Sequence, residues 1–288
     1  MPGIRIAAAD RIAVKNCYIH DANIPSAVNG IALAAVSGEQ SEDCVFINNV
    51  ISNLQGNQLG GGIALYTGVR TKVYHNTTDT VGVGLWLIDQ PGLSVYEGVE
   101  FKNNIVANCT WGIAIQVPSA AVWQYNCYWN NQINNGGGGV GEFIGDPMFV
   151  GGDPYDYHLQ QGSKAIDMGT ELGYPYQGTA PDCGAFESPY AREGITYHVT
   201  PDGWNGTNGD GSLERPWKLI DYGDVYGLLR PDDTVLVHAG TYGPANVSQI
   251  GVQLAYGSGK PGYPITYKAE PGAVIDMQGE QGRCGFAD

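Results

Sequence analysis

The chain has 288 residues, 43% of them hydrophobic, with 43 glycines and only 15% charged residues, a composition that excludes intrinsic disorder and describes an ordered, turn-rich protein. Its formal charge of −15 argues against nucleic acid, which needs a basic face, and disfavours a polyanionic glycan unless Ca²⁺ bridges the two. No apolar run is long enough to span a membrane, and MPGIRIAAAD is too short and polar for a secretory signal, so an exported form would carry its signal elsewhere.

From residue 12 to residue 131 one pattern returns five times: AVKNCYIH, FINNVISN, VYHNTTDT, FKNNIVAN and WQYNCYWN. The copies align on Asn16, Asn49, Asn76, Asn104 and Asn126. A partner strand opening on glycine follows most copies, at 30–33, 62–65, 84–87 and 112–115. Apolar residues alternate within the strands, as in Val45 and Ile47 or Val99 and Phe101, which sends one side chain inward and the next outward. Two short strands per irregular period of roughly 20–35 residues is solenoid spacing. Such a strand alone has an open edge and half a core, so each copy needs the next stacked on it. The predicted fold is all-β, a parallel β-helix.

An asparagine at a bend can pair the backbone groups left free there and bond its equivalent one coil away. The five aligned asparagines are therefore expected to form a structural ladder, with Asn53, Asn108 and Asn130 as a partial second one. Cys17 and Cys127 each follow an aligned asparagine and are expected to point the same way. The six cysteines contain no CxxC pair and no zinc spacing, and read as buried fillers or disulfides. Of the N-x-S/T sequons at Asn76, Asn108, Asn205 and Asn246, the first two fall in the ladders and are expected to be closed to sugar. Outward aromatics could stack on sugar rings, with Trp123 and Trp129 as the best candidates.

The stretch 132–141, QINNGGGGVG, breaks the repeats. After it, DPMFV at 146–150, YHL at 157–159, GSKAIDMG at 162–169 and PDCGAFE at 181–187 resemble the closing segment of right-handed parallel β-helix proteins of the pectate lyase-like superfamily. YHVTPDG at 197–203, GSLERPWKLI at 211–220, LRPDDTV at 229–235 and GTY at 240–242 resemble the N-terminal cap and first coil of the same superfamily. The tract 258–276 continues that opening into a second coil. The resemblance thus implies a right-handed β-helix with its segments in circularly permuted order: coils and closing segment at 1–187, a connector at 188–194, and cap-like and first-coil segments at 195–288.

About seven coils at 4.8 Å separate the ends of such a helix by ~35 Å. The connector reaches at most ~25 Å. Closure within one chain is therefore strained, and complementary ends would generate an open head-to-tail filament. Ile4, Ile6, Ile275 and Arg283 are the expected assembly contacts.

The resemblance also implies chemistry. Lyases of the superfamily abstract the proton α to a uronate carboxylate with Lys or Arg, often aided by Ca²⁺, and glycosidases on this fold use paired carboxylates. The candidate catalytic residues are Lys72, His75 and Lys102, with Arg70 beside them; a solvated charged face explains the same residues. Asp89 has no carboxylate opposite it in the repeat, so no glycosidase pair can be named. The tract 202–211 offers Asp202, Asn205, Asn208 and Asp210 as oxygen ligands for Ca²⁺, the candidate cofactor, but lacks the bidentate Glu of an EF-hand and also reads as a plain turn. Two functions stand at this stage. One is an extracellular or cell-surface structural protomer joining copies of itself end to end, with polysaccharide as a further partner. The other is a polysaccharide lyase.

Overall fold

The computed structural model describes residues 3–24, 28–56, 60–117, 121–133, 139–151, 155–205, 208–246, 251–253, 259, 262–276 and 284–287. The chain divides into two compact units, Met1–Arg192 and Glu193–Asp288.

In the first unit five coils follow one another. Coil one contains β1 (Ile4–Ala7), β2 (Ala13–Lys15) and β3 (Tyr18–Ile24); coil two contains β4 (Ile31–Ala34), β5 (Val45–Ile47) and β6 (Val50–Gly56). Coil three has β7 (Gly61–Leu65), β8 (Gly68–Val69), β9 (Lys72–Tyr74) and β10 (Thr77–Asp79). Coil four has β11 (Val83–Leu87), β12 (Tyr96–Glu97), β13 (Val99–Lys102) and β14 (Ile105–Ala107), and coil five β15 (Trp111–Ile115), β16 (Ala121–Gln124) and β17 (Cys127–Trp129), followed by β18 (Phe143–Ile144). Equivalent strands pair in parallel into three main sheets, β1-β4-β7-β11-β15, β2-β5-β9-β13-β16 and β3-β6-β10-β14-β17-β18.

Each coil therefore has three main strands where the sequence suggested two, because every asparagine-bearing copy is bent in the middle. Asp43, Asn48 and Asn53 in coil two, and Arg70, His75 and Thr80 in coil three, have φ between 49° and 54°. This left-handed conformation recurs every five residues and turns the chain sharply between strands. A short polar side chain tolerates it best, which accounts for the asparagines at many of these corners.

The interior is built of in-register columns. Ile31, Ile63, Leu85 and Ile113 stack in the first sheet. Phe46, Val73, Phe101 and Trp123 stack in the second, the last two rings lying parallel at 3.9 Å. The glycines that open the first-sheet strands leave room for side chains from the third: a Cβ on Gly84 would lie 2.2 Å from Val106 Cγ1.

The segment after β18 does more than end the coil stack. It runs along the outer face of the third sheet, where Leu159, Ala165, Ile166, Met168 and Cys183 pack on Ile105, Ala107 and Cys127, and Tyr157 and Ala185 pack on Val50. Gly184 N donates to Asn103 O at 2.8 Å and Ala185 N to Thr77 Oγ1 at 3.0 Å. Strands β10 and β14 are consequently buried on both faces. Ser188 N and Arg192 N bond back to Asp182 and Asp167, within the same unit.

The second unit pairs β19 (Thr196–Trp204), β20 (Thr234–Val237) and β23 (Thr266–Ala269) in a parallel sheet. Beside it, β21 (Gly240–Tyr242) pairs with β24 (Ala273–Ile275), and β22 (Gly251–Gln253) with β25 (Cys284–Ala287). A single-turn helix, α1 (Tyr222–Val225), and Trp217 cover one side of a core containing Val199, Ile220, Leu229, Val235 and Tyr242.

Candidate functional site on the second sheet

Outward positions of the second sheet bring the sequence candidates onto one surface. β9 and β13 pair so that Lys72 lies beside Glu100 and Tyr74 beside Lys102. Lys102 Nζ is 3.1 Å from Glu100 Oε2, and the same oxygen accepts the Tyr74 hydroxyl. Burial opposes ionisation of Glu100, but the hydrogen bonds from Tyr74 and Lys102 and the charges of Lys102 and Lys72 outweigh it, and the carboxyl sits below its ordinary range. Tyr74 is pushed up, first by burial and then by Glu100, so its phenol stays protonated. Lys72 is exposed at the edge of this group.

His75 does not join it. The next residue along, it occupies a left-handed corner and is 4% exposed, beneath the edge of Tyr174 with Nε2 3.1 Å from Asn103 Nδ2. Burial lowers its pKa to about 4, against a hydrogen bond to the Asp182 backbone. Arg70 also points elsewhere, to Asp43 at 2.7 Å and Glu42 at 2.6 Å. The surface can thus offer the Lys72 ammonium and a Tyr–Glu–Lys network, but not an imidazole base.

Within the coil interior, Asn49, Asn76, Asn104 and Asn126 are each 0% exposed and form one hydrogen-bonded column. The Nδ2 of each of the first three donates to the Oδ1 of the next at 2.9–3.0 Å, and all four donate to a carbonyl of the preceding coil: Val14, Phe46, Val73 and Phe101 respectively. Asn16 lies outside this column. The β2–β5 register sets Lys15 against Ile47, so Asn16 falls beside Asn48 at the exposed corner and Cys17 takes the column position, donating its N–H to Asn49 Oδ1 at 3.1 Å. Cys17 and Cys127 are therefore not equivalent. The other end terminates on Glu142, whose Oε1 accepts Asn126 Nδ2 at 3.1 Å and the Tyr128 hydroxyl at 2.7 Å. No repeat pattern marks Glu142, which follows the glycine tract. Glu100, Tyr74 and Tyr174 were also missed; alternation within β9 and β13 was the available signal for the first two.

At the third corner, Asn53 donates to Asp21 at 2.6 Å, Asn108 to Asp79 at 2.6 Å and Asn130 to Asn108 at 2.8 Å. Asn108 is exposed here, contrary to the expectation that its sequon is closed, because the corner side chain points away from the coil. Trp123 belongs to the interior column and not to a sugar platform, whereas Trp129 is 36% exposed. Cys44, Cys109 and Cys127 are buried free thiols, Cys17 is a half-buried one, and Cys183 is buried.

In the second unit the 202–211 tract gives its oxygens to an arginine: Asn208 O accepts from Arg215 Nη2, and Asp210 lies 3.9 Å from the same guanidinium while taking Ser212 N at 2.9 Å. Asp202 and Asn205 are exposed. Among the described residues no group of three or more His, Cys, Asp or Glu is assembled for a metal ion. Of the expected assembly residues, Ile4 and Ile6 pack in the first unit's core and Ile275 in the second's; Arg283 lies outside the described residues. No helix among the described residues is long and apolar enough to cross a membrane.

Residues 1–141 match the family described as right handed beta helix region. The parallel coils of the first unit are those of a β-helix, in keeping with that description. No curated protein matches the chain. Among solved structures, the PL6 family alginate lyase AlyGC is 15% identical with a TM-score of 0.32, covering 96% of this chain and 37% of the enzyme. A point mutant of that enzyme gives the same identity and TM-score over 95% of this chain. This β-helix thus spans little more than a third of the length of those structures.

Proposed function

We propose that the protein is an extracellular, glycan-associated structural β-helix whose coils stack end to end with those of a second copy. The observation that carries this reading is the state of coil one. Among the described residues, β1, β2 and β3 each stand at the margin of their sheet. Ile4, Ile12 and Ile19 are only partly buried there, while their register partners Ile31, Cys44 and Ile51 one coil later are 0% exposed. A further coil docked on that edge would bury these side chains and pair the strands. Sedimentation velocity across rising concentration, with negative-stain microscopy, tests it: wild type should lengthen with concentration, and Ile4→Lys, at a partly buried edge position, should hold it short. A monodisperse wild-type monomer at all concentrations would retire the idea.

A second reading, a lyase acting on a uronate polymer, is favoured by the exposed Lys72 beside the Glu100–Lys102 pair. Lys72→Ala or Lys102→Ala should then abolish ultraviolet-absorbing 4,5-unsaturated product while the protein stays folded. Absence of that product from every uronate polymer, with and without Ca²⁺, removes this reading.

A further inference from the structure

The second unit contains a hydrogen-bonded relay that neither reading uses. His198 lies on β19, His238 follows β20 and Glu270 follows β23, so the three groups come from three successive parallel strands of one sheet. His198 Nδ1 is 2.8 Å from His238 Nε2, and His238 Nδ1 is 3.1 Å from Glu270 Oε2. The imidazole planes are within 14° of parallel. Glu270 Oε2 also takes Ala239 N at 3.2 Å, and His238 N donates to Val199 O at 3.0 Å, which fixes both ends of the arrangement to backbone.

We propose that Glu270, His238 and His198 form a proton-operated clasp that holds these three strands together at neutral pH and releases them in mild acid. Counting protons shows why. With both imidazoles neutral, His238 donates Nδ1–H to Glu270 and accepts His198 Nδ1–H at Nε2. With one proton added, the His238 imidazolium donates from both nitrogens, and His198 shifts its hydrogen to Nε2 to accept at Nδ1. With two protons added, N–H faces N–H across 2.8 Å and two positive rings adjoin, so the contact cannot persist. The relay accommodates none or one, and the second proton opens it.

The other charged groups facing His198 are Glu214, from the loop over β19, and Glu270; Lys268 lies farther along the same register line, beyond Leu236. The two carboxylates favour protonation of His198, but burial and then the His238 charge outweigh them and hold it below its ordinary 6.5. The folded state therefore binds fewer protons here than the unfolded one. The clasp's contribution is complete above that ordinary value and is lost as pH falls from it through the lowered one.

Hydrogen exchange of β19 and β20 in the full chain at pH 7.5 and pH 5, corrected for intrinsic rates, tests the clasp, with β14 of the first unit as internal control. Protection should fall about tenfold in wild type but less than about twofold in His198→Gln, whose amide N–H donates to neutral His238, whose carbonyl accepts from the protonated form, and which cannot charge. Unchanged protection in wild type, or the same fall in the variant, overturns the proposal. Should the variant fold poorly, an NMR titration of wild type decides: His198 should titrate below its ordinary 6.5, and titration at the ordinary value overturns the clasp equally.

Discussion

At the second corner of coil three, a backbone turn has taken His75 out of solvent and left it neutral. Its pKa near 4 against an ordinary 6.5 means the unfolded chain binds the proton first, so stability is full above pH 6.5 and drains away as pH falls toward 4. Asp182 and Glu187 act in the opposite sense. Burial, followed for Glu187 by the Asp182 charge, raises them to about 6 and about 7, so their contribution is greatest below their ordinary values and is lost as pH rises through the raised ones. His75→Asn should expose that opposing slope. At pH 5 the variant is expected to gain about 2 kcal/mol on wild type relative to their difference at pH 7.5, read from urea midpoints; an unaltered pH profile would show that His75 is not the group that titrates. In the asparagine column, Asn104→Leu should cost about 3 kcal/mol or more by stranding Val73 O and the backbone N–H of Asn76. Asn16→Gly, at the exposed left-handed corner, should stay within about 0.5 kcal/mol. Equal losses at the two positions would contradict the register.

Individual strands of three or four residues are too short to persist alone, and stacking supplies what each lacks. Two devices make the stack specific. The first is the close approach at the start of the first-sheet strands, where β11 passes under the third-sheet side chains. Gly84→Val should destabilise by about 2 kcal/mol or more, because its Cβ would meet both Val106 Cγ1 and, at 2.7 Å, Gly112 O. The second is the termination of the amide column. Glu142→Leu leaves Asn126 Nδ2, the Tyr128 hydroxyl and Gly139 N without their acceptor and should cost about 2–5 kcal/mol, with Glu142→Gln milder because one oxygen remains. Thermal melts of the two variants in parallel would check this. A loss of equal size in both would mean that a single acceptor oxygen does not suffice and that the carboxylate charge carries the contribution.

For the molecule as a whole, the segment 146–192 is as much a part of the first unit as the coils it covers. A chain ending at Arg192 should keep the cooperative unfolding of that unit. One ending at Gly145 uncovers Val50, Ile105, Ala107 and Cys127, and should bind a hydrophobic dye and aggregate. Equal dye binding by the two truncations would mean that the covering contacts contribute little. The coil repeats were legible in the sequence, since apolar alternation and the recurring asparagine survive irregular loop lengths. Glu142 was not, because a residue that ends a repeat has no copy to be compared with.

The sequence by itself determined that the chain is a β-solenoid and roughly where its coils lie, because a buried column requires the same residue class at every turn. It did not determine that each copy bends into two strands, since left-handed φ is carried by Asp, Arg, His, Thr and Tyr here as well as by Asn and Gly. Nor could it set Asn16 and Cys17 correctly: a shift of one residue exchanges inside for outside, and only the hydrogen-bonded register fixes it. The same holds for the candidate site. Sequence put Lys72, His75 and Lys102 close together, but the corner between β9 and β10 decided that Lys72 faces solvent at the edge of the Tyr74–Glu100–Lys102 network while the imidazole is turned away from it, buried and uncharged, because the direction of a side chain follows from backbone conformation and not from its distance along the chain.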